Sequence, residues 1–279
     1  MLSIPIILIG FPFPTEIFAN RCISFMIWVV NLNYMVVSGW NKKYNQILRE
    51  FGYSKKDDIQ SSKILNSKLG KKTPKTTLSK LIKNNDIFVI GAGPSLHKSI
   101  NALKKFPNTI KIVADGAIQA LLENGLNADI LVTDLDGDIT AIKKTGKTKT
   151  LILVHAHGDN IDKLHLVSKF RNWYGTTQTK EFGKISNFGG FTDGDRCVFL
   201  ADYFNAKNII LFGMDFGNTI GKYSKNMSNK TLKRKKLRFG KKLLEWLSLR
   251  SKSNLYTTSK PICGFKKISF SDLEEILNY

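Results

Sequence analysis

The sequence predicts a doubly wound α/β domain built on a mostly parallel sheet, preceded by a small helical N-terminal domain. Three observations carry this expectation. Short apolar runs alternate with stretches of helical periodicity, the pattern of βαβ units. Polar and glycine residues follow run after run at the same end, as they do where ligands gather beyond the carboxyl ends of parallel strands. The hydrophobic content, 42% of 279 residues, is enough for a sizeable core.

The elements follow in order. Residues 1–34 are strongly apolar, and residues 22–41 carry no charge over a length that spans a bilayer. Asn31, Asn33 and Asn41 interrupt that run, and no A-x-A cleavage site follows it. The extension is read as a mis-called start, with translation beginning at Met35, as a membrane anchor, or as a folded extension. Residues 35–85 make the helical domain and its linker. Trp40, Tyr44, Ile47, Leu48 and Phe51 recur at three- and four-residue steps, and Asp57 and Asp58 open a second helical run. A lysine-rich stretch broken by Gly70 and Pro74 then reads as a linker or exposed helix. Residues 86–279 make the α/β domain. DIFVI, IKIVA, ADILV, LILV and NIILF are strand candidates, AIQALLEN is a helix closed by Gly125, and NLYTTS offers a last strand.

The formal charge of +21 is concentrated late in the chain, where KTLKRKKLRFGKKLLEWLSLR holds Glu245 as its one acid. This suits a basic wall for a polyphosphate. Lysine is abundant throughout, so no stable nucleic-acid partner is expected. Cys22, Cys197 and Cys263 are too scattered for a disulfide framework or a zinc cluster, and a reducing cytoplasm fits.

The chemistry sits at the strand ends. In GAGPSL, Gly91 and Gly93 let backbone approach a phosphate at a helix N-terminus, with Pro94 and Ser95 completing the loop. The loop matches neither the dinucleotide fingerprint nor a Walker A sequence. In VTDLDGD, an extended backbone puts Asp134 and Asp136 on one side, with Asp115 one strand over as a third carboxylate. Crowded hard oxygens beside a phosphate suggest Mg²⁺. An EF-hand fails on Ile139 and Thr145, and Asp138 is a helix cap. HAHGDN begins like a dinuclear metal site, yet Asn160 stands where a further histidine belongs; His155 or His157, neutral, is expected to bond substrate or phosphate. In NFGGFTDGDR, Phe188 and Phe191 offer faces for a flat heterocycle, and Thr192 and Asp193 are ready N-caps. Arg196 lies where the helix dipole disfavours a cation, which an anionic ligand would explain.

VADGA followed by ADILVTDLDGD resembles the nucleotide and magnesium site of thiamin pyrophosphokinases, except that Thr133 replaces a glycine. The fuller set is more specific. GAGPSL, ADGA, TDLDGD, HAHGDN, NFGGFTDGDR and LFGMDFG, in this order, resemble the archaeal 6-hydroxymethyl-7,8-dihydropterin pyrophosphokinases over roughly residues 35–259. The resemblance implies a Rossmann-like core, with Mg²⁺ as cofactor and ATP and a pterin alcohol as substrates. It implies diphosphate transfer to the pterin hydroxymethyl group with release of AMP, in folate-type and methanopterin-type cofactor synthesis. It places Mg²⁺ on Asp115, Asp134 and Asp136, and ATP on Gly91, Gly93, Pro94, Ser95, His155, His157, Arg196 and Arg238. It places the pterin on Asn187, Phe188, Gly189, Gly190, Thr192 and Asp193, with Asp215 as a further catalytic group. The competing reading is a metal-dependent nucleotide-sugar transferase of the motility-associated kind. Homo-oligomerisation is left open.

Overall fold

The computed structural model describes residues 37–70, 75–224 and 229–278. The apolar extension and its candidate membrane span lie almost wholly outside these residues. Among the described residues no helix is long and apolar enough to cross a membrane. The described residues from Gly39 to Asn278 form one compact unit.

Its helices begin where the local chemistry allows. The α1 helix (Trp40–Phe51) buries Trp40, Tyr44 and Ile47 and stops at Gly52, whose φ of 70° returns its amide to the Leu48 carbonyl. Helix α2 (Lys55–Ser67) is capped by Ser54, and Asp57 and Asp58 sit in its first turn. Part of the stretch read as a linker is helical: α3 (Lys75–Ile82) forms because Leu78 and Ile82 are fully buried.

The sheet has eight strands in the order β5-β4-β3-β2-β1-β6-β7-β8, every pairing parallel. The expected runs supply β1 (Asp86–Ile90), β2 (Ile110–Ala114), β3 (Ile130–Thr133), β4 (Leu151–Ala156) and β6 (Asn208–Phe212). The tail supplies β7 (Asn254–Thr257). Two strands were not anticipated. WYGTT forms β5 (Trp173–Thr177) without an apolar run, and β8 (Lys266–Lys267) has only two residues. Central strands are apolar on both faces because both faces are covered. Phe88, Ile90, Val113, Leu131, Ile152 and Phe212 pack against α4 (Leu96–Lys105), α5 (Asp115–Glu123), α6 (Ile139–Gly146) and a 3-10 stretch (Gly158–Lys169). The alternate residues meet α7 (Asp193–Tyr203), which lies over β1, β2 and β3 and carries α8 (Lys230–Ser248) on its back.

Strands β1 to β5 run outward in one direction, and the chain then crosses back to lay β6 on the other side of β1. That switch point opens a crevice at the carboxyl ends of β1 and β6. The two loops there interlock. The Gly91 amide donates to the Phe212 carbonyl at 2.9 Å and the Gly93 amide to the Gly213 carbonyl at 2.7 Å. A Cβ on Gly93 would stand 2.2 Å from Asp215 Oδ2 and 2.5 Å from the Gly213 carbonyl.

Gly93→Ala is therefore expected to destabilise the protein by about 1–3 kcal/mol through overpacking against backbone. Gly70→Ala, whose Cβ meets nothing within 4 Å, is expected to stay within about 0.5 kcal/mol of the parent. Urea denaturation of the two variants compares them directly.

Candidate active site

The strand ends deliver four carboxylates to one point. Asp115 follows β2, Asp134 and Asp136 follow β3, and Asp193 opens α7; one oxygen from each lies within 4.8 Å of the others. The route after β3 differs from the extended backbone expected. Leu135 takes a φ of 67° with its side chain fully buried, and this left-handed turn swings both neighbours toward Asp115. Thr133 secures the turn: its hydroxyl donates to Asp115 Oδ2 at 2.9 Å and accepts the Leu135 amide at 2.8 Å. The Gly137 amide also donates to Asp115 at 3.1 Å, and a Cβ there would stand 2.8 Å from that carboxyl. Asp138 caps α6 through the Ala141 amide.

Two cations or dipoles answer the cluster. His157 Nδ1 accepts the Asp159 amide, so the tautomer assigned from its partners presents Nε2–H to Asp134 Oδ2 at 3.3 Å. Arg196 Nη1 lies 3.5 Å from Asp193 Oδ1, and Arg196 Nη2 donates to Gln178 Oε1 at 3.3 Å. That pairing within α7 accounts for a cation in its first turn. Behind both stands Asp58, 2% exposed. It accepts Tyr44 Oη at 2.6 Å, Gln178 Nε2 at 2.9 Å and the Gly158 amide at 2.8 Å. One carboxylate on α2 thus braces both the loop of His157 and the glutamine that holds Arg196. Asn160 adds a second brace, donating to the Asp134 and His155 carbonyls at 2.8 and 2.7 Å.

The carboxylates titrate apart. Burial opposes ionisation of Asp134, but the hydrogen bond and proximity of His157, a bond with Asp136 and the charge of Arg196 outweigh it and hold the group low. Burial, then the Asp134 charge, pushes Asp115 up to about 6. Asp136 opens onto the cleft, yet the protein around it and the charges of Asp134 and Asp115 push it up to about 8. Burial raises Asp193 well above the ordinary range, with Asp134 and Asp115 adding to it. Four hard oxygen donors that are costly to ionise together fit a divalent cation.

The acids form part of a cleft that also takes in Gly91, Ala92, Gly93, Pro94, Asp215 and, from α8, Lys233 and Lys236. Several expected residues lie elsewhere or are otherwise engaged. The Gly91, Gly93 and Ser95 amides are bonded within the interlocked loops, and Asp215 Oδ2 accepts the Ser95 amide and hydroxyl at 2.9 and 3.0 Å. The glycines permit the close approach of the two loops, and Asp215 ties Ser95 to the loop after β6. Arg238 is exposed on α8 and does not line the cleft; Lys236 does. Asn187 is buried, its side chain bonded to the Thr179 carbonyl and the Gly189 amide. Phe188 packs on Tyr203 and Phe204, while Gly189 and Gly190 lie tight against Phe199 and Arg196. His155, Phe188, Gly189 and Arg196 share a small separate hollow, in which His155 Nε2 and Arg196 Nε have no hydrogen-bond partner among the described residues. Burial holds the His155 imidazole well below its usual range. Thr192 caps α7 with Asp195, which accepts the Phe191 and Thr192 amides at 2.6 and 2.8 Å. Lys233, Lys236 and Asp58 were not anticipated individually: helical spacing singles out the first two, whereas Asp58 reads as a helix-start residue.

Comparison with known proteins bears on this site. A family model described as 6-hydroxymethylpterin diphosphokinase MptE-like matches residues 61–221. The 6-hydroxymethyl-7,8-dihydropterin pyrophosphokinase of Methanocaldococcus jannaschii is 42% identical over 76% of this chain and 96% of its own length. The proteins of that name from Pyrococcus furiosus and Methanothermobacter thermautotrophicus are 44% and 37% identical, over 92% and 95% of their lengths. The MAf glycosyltransferase of Magnetospirillum magneticum shares the fold at a TM-score of 0.52 and 13% identity; the match covers 77% of this chain but 38% of that longer protein.

The acids predict a pH dependence. Asp115, Asp136 and Asp193 bind protons more tightly folded than unfolded, so the cation-free folded chain holds more protons between about pH 4 and pH 8, and its stability falls as pH rises through that window. Asp134 is shifted the other way and contributes fully above that lower limit. Melting temperatures from pH 5 to 8 in EDTA test this: the decline is expected to be shallower in Asp136→Asn than in the parent.

Proposed function

The chain belongs to the MptE-like 6-hydroxymethylpterin diphosphokinases, and from this we propose that it moves the diphosphate of ATP onto the hydroxymethyl group of 6-hydroxymethyl-7,8-dihydropterin and releases AMP. One observation supports the chemistry above all: four carboxylates gathered within 4.8 Å face a glycine loop and two lysines in one cleft. Asp115, Asp134, Asp136 and Asp193 would hold Mg²⁺, and bound there it would neutralise and polarise the phosphate oxygens. The loop of Gly91 and Gly93 lets the polyphosphate lie close to the sheet edge. Lys233 and Lys236 meet its charge from α8, as an electrostatic clamp on a transferring phosphoryl group requires. The acceptor hydroxyl forms a bond to the β-phosphorus. The bond from that phosphorus to the bridging oxygen of the α-phosphate breaks, AMP carries the oxygen away, and the hydroxyl proton passes to solvent.

Incubation with ATP, Mg²⁺ and the pterin alcohol is expected to give AMP and a pterin diphosphate in equal amounts, resolved by chromatography. ADP in place of AMP would refute the diphosphoryl step. Asp134→Asn is expected to cut kcat by at least about a hundredfold, the scale on which electrostatic groups act. Asp58→Asn touches no substrate, yet it is expected to raise the Mg²⁺ concentration for half activation about 10- to 100-fold in a protein that still folds, because supporting residues orient metal-binding ones. An unchanged Mg²⁺ requirement would show that the brace is structural only.

A further inference from the structure

The donor half of the reaction uses the glycine loop, the acids and the lysines. It leaves a group of aromatic side chains beside the acids without a task. Tyr53 stands in the turn between α1 and α2, half-buried. Its ring lies along Phe51 at 6.0 Å and 14°, tilts against Phe191 at 6.3 Å and meets His157 edge-on at 6.5 Å. Lys236 Nζ stands 5.5 Å from the centre of the Tyr53 ring and 6.0 Å from that of Phe191. Phe191 and Lys236 line the cleft, and His157 is bonded to Asp134. Four separate elements therefore bring aromatic and polar groups together at the edge of the cleft, with Tyr53 just outside its lining, against Phe191, His157 and Lys236. Neither Tyr53 nor Lys236 lies within the residues matched by the family model.

We infer that this group is the acceptor subsite: the flat heterocycle lies against Tyr53 and the edge of Phe191, and its hydroxymethyl arm reaches Asp134 and Asp136. The inference rests on the diphosphokinase reading and assigns the acceptor to residues other than Phe188. Three arguments carry it. Phe188 is packed away on Tyr203 and Phe204, whereas Phe191 reaches the cleft. A planar, polar-edged ring stacks on an aromatic face and bonds at its rim, and Tyr53 with Lys236 offers both. The other narrow part of the cleft, where a Cβ on Gly116 would stand 3.2 Å from Ala92 Cβ and 3.5 Å from the Tyr223 carbonyl, is lined by backbone and small residues and leaves the nucleoside a place of its own.

Full-length Tyr53→Leu and Tyr53→Phe, assayed with ATP, Mg²⁺ and 6-hydroxymethyl-7,8-dihydropterin, test the assignment. Tyr53→Leu is expected to raise the KM for the pterin roughly ten- to a hundredfold, the worth of one stacked ring, with the KM for ATP unchanged. Tyr53→Phe keeps the ring and is expected to hold the pterin KM within about threefold. A pterin KM unaltered in Tyr53→Leu, or one that rises in step with that for ATP, overturns the subsite. Direct titration of pterin fluorescence separates the two readings. Binding that is lost in Tyr53→Leu, in a protein that turns nothing over, keeps the subsite and rejects the reaction. Turnover with an indifferent Tyr53 keeps the reaction and rejects the subsite.

Discussion

Four carboxylates within 4.8 Å of one another are the constraint around which this molecule is arranged. Like charges at that separation do not ionise together without compensation. Compensation comes at three levels. Neutral donors, Thr133 and the Gly137 amide, bind Asp115 directly. His157 and Arg196 engage Asp134 and Asp193. Beyond contact range, a chain with 43 basic and 22 acidic residues sets the whole cluster in a positive field. A protein so basic gathers acids at one place, and the lysines of α8 face them across the same cleft.

The N-terminal helices belong to this arrangement. Trp40 donates to the Gln178 carbonyl at 3.0 Å, and Ser62 donates to Thr177 at 2.8 Å, so α1 and α2 are tied to the end of β5. Asp58 extends the tie to the residues that hold His157 and Arg196. Three donors on one buried carboxylate make its position hard to replace, since an amide accepts through one oxygen only.

Most of the sheet was legible because buried parallel strands are apolar on both faces. Strand β5 was not: Gly175 lies tight against Ile185 and Leu65, and its threonines face polar partners such as Ser62 and Ser186, so no apolar run marks it. Asp134 and Asp136 were legible as a pair, but for an incomplete reason. Their convergence comes from the left-handed Leu135, and a buried leucine with positive φ has no signature in sequence. Asp193 was read as a cap or a pterin contact because its place beside Asp115 arises only when α7 crosses back over the sheet. The distinction between Phe188 and Phe191 was equally hidden: three residues apart in an irregular loop, one turns into the core and the other to the cleft.

The switch point has a consequence for biosynthesis. The Gly93 amide and the Ser95 hydroxyl find their partners at Gly213 and Asp215, in the loop after a strand made long after β1. A ribosome that has released β1 to β5 has released a five-stranded sheet with one flank of β1 unpaired, and such a flank is a template for foreign strands. Contacts of such long sequence separation form slowly. The shaping of the glycine loop and the sealing of that flank are the same event, the arrival of β6, so a chain interrupted before it is at once without a formed cleft and prone to aggregate.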